Sequence, residues 1–89
     1  MASSPDPAAL RRAILAMAES RGPAKTFCPS EVARQLDDDW RPLMAPVRAS
    51  SRELAREGRL DVLQRGRTLS PEAPWHGAIR LQSPADRDG

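Results

Sequence analysis

Arg48, Arg52 and Arg56 stand four residues apart, the spacing in this chain that points most directly to chemistry. At about 100° per residue they share one flank of a predicted helix with Arg41. Leu43, Val47 and Leu54 fall together on its apolar face, with Ser50, Ser51 and Ala55 beside them, and Glu53 and Glu57 take the other flank. Like charges at i, i+4 cost a helix a few tenths of a kcal/mol per pair, and a polyanion would offset that cost. Arg65 and Arg67 follow on a predicted β-hairpin. Together Arg41, Arg48, Arg52, Arg56, Arg65 and Arg67 form a candidate nucleic-acid-binding set. They could reach about four to six phosphates, giving affinity a log–log salt slope of about −4 to −5. An exposed Ser51, or the arginines themselves, could read base edges, since Arg is the common bidentate partner of guanine. Against this stand a purely solvated helix edge, partly compensated by Glu53 three residues before Arg56, and the repulsion of DNA by Glu53 and Glu57.

The other reactive residue types offer less. Cys28 precedes Pro29 at a helix start, where a thiol can act as a nucleophile or simply fill a tight corner, and no His, Asp or second Cys is placed to activate it. One cysteine makes no internal disulfide, and one Cys with one His makes no zinc site. The three carboxylates of Asp37–Asp39 are consecutive, so they do not converge on an ion and are expected to cap the next helix. With a single His and no Gly-rich loop, neither an enzyme nor a bound cofactor or metal is expected. Trp40 is expected to anchor the third helix in the core, and Trp75 to pack from a loop. Arg80 alternates with Ile79 and Leu81, leaving open whether it pairs with an acid or extends the basic surface.

The elements that must position these residues are legible. Asp6 and Pro7 start a helix whose apolar face is Leu10, Ala13, Ile14, Met17 and Ala18, and Gly22–Pro23 ends it. Thr26–Cys28 is a short extended piece. Pro29–Leu36 is the second helix, with Glu31 at the capping-box position and Val32, Ala33 and Leu36 facing inward. Trp40–Ala45 begins the third helix. A kink at Pro46, or a separate helix starting there, is expected, and Gly58 follows its end. Leu60 and Val62 alternate with charged residues in a half-buried strand, Arg59–Gln64. Arg65–Gly66 is the turn, Arg67–Ser70 the returning strand, Pro71–Gly77 a loop and Ala78–Leu81 a last strand. This order predicts an α+β, mainly helical fold: a winged helix-turn-helix of three helices and a small antiparallel sheet. Residues 6–82 form one domain, with 1–5 and 83–89 as flexible tails.

Eighty-nine residues support one small core and no large enclosed cavity. The net charge is +2, and every one of the 14 cations except Lys25 is an arginine. Arginine suits bidentate phosphate contacts, although the same bias also follows from a GC-rich genome. No secretory leader or membrane-spanning run is evident, so a cytoplasmic protein without membrane contact is expected.

Cys28-Pro-Ser-Glu-Val-Ala-Arg, Trp40-Arg-x-Leu-Met, Val47-Arg, Leu54-Ala, Glu57-Gly-Arg-Leu and Ile79-Arg-Leu together resemble an uncharacterised bacterial domain-of-unknown-function family of short standalone proteins. The similarity covers about Leu10 to Leu81. It implies a winged-helix-like fold and a bacterial cytosolic setting, and it points to no particular activity. The functional expectation is therefore DNA binding, as in a small transcriptional regulator, with an acidic protein surface as the alternative partner of the same face. Oligomeric state and target are not set by the sequence.

Overall fold

The computed structural model describes residues 6–84 apart from Ala24. Helix α1, Pro7–Arg21, starts where the Asp6 carboxylate accepts the Ala8 N–H at 3.1 Å. It buries Leu10, Ile14, Met17 and Ala18, and stops at Gly22, whose φ of 85° suits a residue without Cβ. Helix α2, Pro29–Leu36, carries the expected capping box, with the Cys28 N–H donating to the Glu31 carboxylate at 2.8 Å. Pro29, Val32 and Ala33 are buried. Leu36 departs from expectation: in the last turn of the helix it stays 40% exposed.

The Asp37–Asp39 carboxylates do not cap the third helix. Asp37 Oδ1 accepts the Asp39 N–H at 3.0 Å, closing a local Asx turn. A 3₁₀ turn over Arg41–Leu43 then leads directly into helix α3, Met44–Arg56, which begins without a side-chain cap. Because α3 starts two residues before Pro46, the proline lies in a first turn whose amides have no intrahelical acceptor. Neither a kink nor a new helix at Pro46 is needed. Val47, Ser50, Ser51 and Leu54 face inward, and α3 packs against α1 and α2. Ser51 is fully buried and donates its hydroxyl to the Val47 carbonyl at 2.8 Å, so it cannot read a base edge.

Strand β1, Asp61–Gln64, runs through the Arg65–Gly66 turn into the two-residue strand β2, Arg67–Thr68. Both turn residues have positive φ, 54° and 81°, as a type I′ turn requires. Strand β3, Arg80–Gln82, pairs with the other edge of β1, giving the antiparallel order β2-β1-β3 with Val62 opposite Leu81. Phe27 extends the sheet beyond β3 through two hydrogen bonds with Leu81, at 2.9 and 2.8 Å. The returning strand ends earlier than expected because the chain turns away after the Leu69 N–H reaches the Val62 carbonyl at 2.7 Å. Ser83, expected in the C-terminal tail, donates its hydroxyl to the Ala18 carbonyl at 2.8 Å. Residues 1–5 and 85–89 of the expected tails lie outside the described residues.

Phe27, Ile14, Leu54, Leu60, Ile79 and Leu81 fill the space between the helices and the sheet. Burial of each such side chain contributes roughly 1.5–3 kcal/mol. The result is an α+β, winged-helix-like arrangement, and among the described residues no helix is long and apolar enough to cross a membrane.

Candidate nucleic-acid interface

The segment between β2 and β3 does not hang free: Ser70–Ala78 folds back as a strap along α3. Arg48 donates Nη2 to the Trp75 carbonyl at 2.7 Å and Nη1 to the Gly77 carbonyl at 3.2 Å. Arg52 Nη1 donates to the carbonyls of Pro71 and Ala73, the latter at 2.8 Å, and its guanidinium lies 4.1 Å from the centre of the Trp75 ring. Arg56 grips the Glu72 carboxylate through Nε and Nη2 at 2.9 and 3.1 Å. From the other side, Gln64 Nε2 donates to the carbonyls of His76 and Ala78. The buried Trp75 donates Nε1 to the Ser70 carbonyl at 3.1 Å.

Backbone chemistry explains the arrangement. An irregular segment has no ladder to satisfy its carbonyls, and Pro71 and Pro74 remove two amide donors that could have served them. A guanidinium offers several donors in a rigid plane. Three of them at helical spacing can therefore hold five residues of strap.

The expected outward row of arginines is thus engaged within the chain. Its charge is another matter. Arg48 and Arg52 bond only to neutral carbonyls, and the strap brings a single carboxylate, Glu72, against three guanidinium charges. The hydrogen bond from Arg56 holds the Glu72 carboxyl below the usual glutamate range, with a smaller contribution from the charge of Arg52.

The acidic flank of α3 is compensated from α1. Arg11 lies 2.7 Å from Glu57 and 3.6 Å from Glu53, and Arg59 approaches Glu57 at 3.7 Å. The hydrogen bond from Arg11 lowers the Glu57 pKa. The repulsion expected from these two acids is correspondingly reduced.

Arg65 and Arg67 are exposed at the hairpin tip, and no hydrogen bond or ion pair reaches their side chains among the described residues. Arg41 is exposed and lies 4.7 Å from the Trp40 ring centre, while Arg34 lies at 4.6 Å from the same ring. Trp40 itself packs against the core, as expected. The hairpin stem is tied to the strap by Gln64 and the strap to α3 by the arginines, so the six candidate residues are parts of connected elements.

Arg80 is exposed, and its charge helps to lower the pKa of the neighbouring Glu31 while its donors go to neutral groups. It donates to the Thr26 hydroxyl at 3.0 Å, the Thr26 carbonyl at 3.3 Å and the Cys28 sulfur at 2.8 Å, clamping the approach to α2. Glu31, beside it, is lowered in pKa chiefly by the Cys28 N–H and then by Arg21. Among the described residues no three His, Cys, Asp or Glu side chains are grouped to hold a metal ion. Glu72, Gln64 and Arg11 escaped the sequence reading. Glu72 left one trace there, as the only acid between β2 and β3.

The family model described as "Protein of unknown function (DUF3253)" matches residues 7–84, nearly all of the described chain. No curated protein matches the chain.

Proposed function

The chain belongs to the DUF3253 family of proteins of unknown function, and from that premise we propose that the face formed by α3, the strap and the hairpin binds nucleic acid, with duplex DNA as the first partner. In this reading α2 and α3 act as a helix-turn-helix, the hairpin follows the phosphate backbone, and the protein is a small non-enzymatic regulator. One observation carries it: the positive charge of Arg48 and Arg52 is met by carbonyl dipoles and not by acids, next to a hairpin presenting Arg65 and Arg67. Affinity then comes from phosphate contacts and falls steeply with salt. A single module of this kind covers about 600–1,000 Å² of surface, so tight sequence-specific binding calls for a second copy or a partner.

Arg48 and Arg52 are poor probes of this reading because their loss loosens the strap. Arg41, Arg65 and Arg67 hold no backbone in place. Titration of a labelled duplex between about 50 and about 200 mM salt is expected to give a slope of about −3 to −4. An Arg65→Gln/Arg67→Gln variant should lower that slope by about 2 with the fold intact. No binding at about 50 µM protein in low salt sinks the DNA reading and leaves an acidic protein surface as the partner of this face, since non-specific affinities of about 1–100 µM at physiological salt tighten further as salt falls.

A further inference from the structure

The Arg56–Glu72 contact has a geometry that a phosphate can take over. Guanidinium presents two parallel N–H donors that match a carboxylate and a phosphate in the same bidentate way. Both donors of Arg56 are used in this manner, at 2.9 and 3.1 Å. The pair is open to solvent, with 49% of the Arg56 side chain and 67% of the Glu72 side chain exposed. Glu72 is also held in position: its N–H donates to Ser70 Oγ at 3.1 Å, and the carbonyls on either side of it, Pro71 and Ala73, are both held by Arg52. A tethered carboxylate of this kind acts at a high local concentration.

We propose that Arg56 is a phosphate-binding site closed by the chain's own Glu72, which an incoming phosphate displaces. The inference rests on the nucleic-acid reading for the source of that phosphate, a backbone diester, and names the residue that restrains it. Glu72 keeps Arg56 from binding stray anions and weakens non-specific polyanion binding until enough neighbouring contacts form to displace it. Because the hydrogen bond from Arg56 lowers the Glu72 pKa further below the ordinary glutamate value, the closure is not relieved by mild acid.

Wild type, Glu72→Gln and Glu72→Gln/Arg56→Gln carry the test. The carboxylate of Glu72 holds no backbone, so the fold survives its replacement, which circular dichroism verifies. Glu72→Gln should bind the labelled duplex roughly 3–10-fold more tightly near about 100 mM salt, with a slope steeper by about 0.9, and the second substitution should remove the gain. Inorganic phosphate separates the two sources of the anion: at millimolar concentration it should shift the Arg56 Nε–Hε NMR signal of Glu72→Gln and leave that of the wild type in place. A DNA gain without this shift also supports the site, as one for polymeric phosphate only. A wild type that binds DNA and a Glu72→Gln variant that binds it no better overturn the proposal. If none of the three binds DNA, the functional reading falls, and the phosphate shift decides alone: its presence in Glu72→Gln keeps the site and its absence removes it.

Discussion

The candidate arginines divide here into those that hold structure, on α3, and those that face solvent, at the hairpin and ahead of α3. Arg52 is the clearest case of the first kind, with one nitrogen serving two strap carbonyls and its plane over Trp75. Removing a charged donor from such carbonyls costs about 1.5–3 kcal/mol, and the ring contact adds about 0.5–1 kcal/mol. Arg52→Gln is therefore expected to lower unfolding stability in urea by about 2–4 kcal/mol, whereas Arg65→Gln stays within about 0.5 kcal/mol. Arg52→Lys should recover only part of the loss, because an ammonium group can donate to both carbonyls but has no plane to stack flat on the Trp75 ring. Full recovery in that variant would mean that the contact is one of charge alone. The same division makes a three-arginine replacement on α3 a mixed probe, since lost binding and a loosened strap would arrive together.

At the level of elements, the segment joining β2 to β3 behaves as a packed part of the fold. Trp75 is buried within the core cluster and tied at its indole N–H and its carbonyl. Trp75→Ala is expected to cost about 3–5 kcal/mol, the usual range for a buried tryptophan. Hydrogen exchange should speed up selectively over Ser70–Ala78 in that variant. Unchanged exchange there, at any loss of stability, would show that the strap is held by the arginines without the indole. The DNA-facing reading of α3 depends on this element too, because the strap sets which donors of the helix reach solvent.

Across the whole molecule, net charge says little, since +2 is a small residue of 14 cations and 12 acids. Their pairing says more. Glu31 joins α2 to Arg21 of α1, Glu57 joins α3 to Arg11 of α1, and Glu72 joins the strap to Arg56 of α3. All three have pKa values lowered in the folded state, Glu31 chiefly by the Cys28 N–H and the other two by their arginines. A lowered folded value means that the stabilisation is present above the unfolded glutamate pKa of about 4.3 and is lost as pH falls through the folded values. The urea midpoint is thus expected to hold from neutral pH to about pH 5 and to fall below about pH 4. Joint replacement of the three by Gln should lower stability at neutral pH and flatten the acid limb. A wild-type midpoint that is the same at about pH 5 and about pH 3 would contradict this linkage.

What the sequence determined by itself is whatever a few neighbouring residues can enforce. Pro29 with Glu31 sets the start of α2, Gly22 the end of α1, and Arg65–Gly66 the turn between β1 and β2, because each acts through its own φ, a missing N–H or a bond to a residue close by. The periodicity of Val47 and Leu54 likewise placed the buried side of α3. Tertiary structure alone decided where the arginines spend their donors. Arg48 reaches carbonyls 27 and 29 residues away, and Arg56 a carboxylate 16 away. No local rule selects among distant acceptors: a guanidinium takes the carbonyls and carboxylates that packing brings within reach. A basic stripe in a sequence is therefore a statement about charge, and folding determines how much of it remains for a partner.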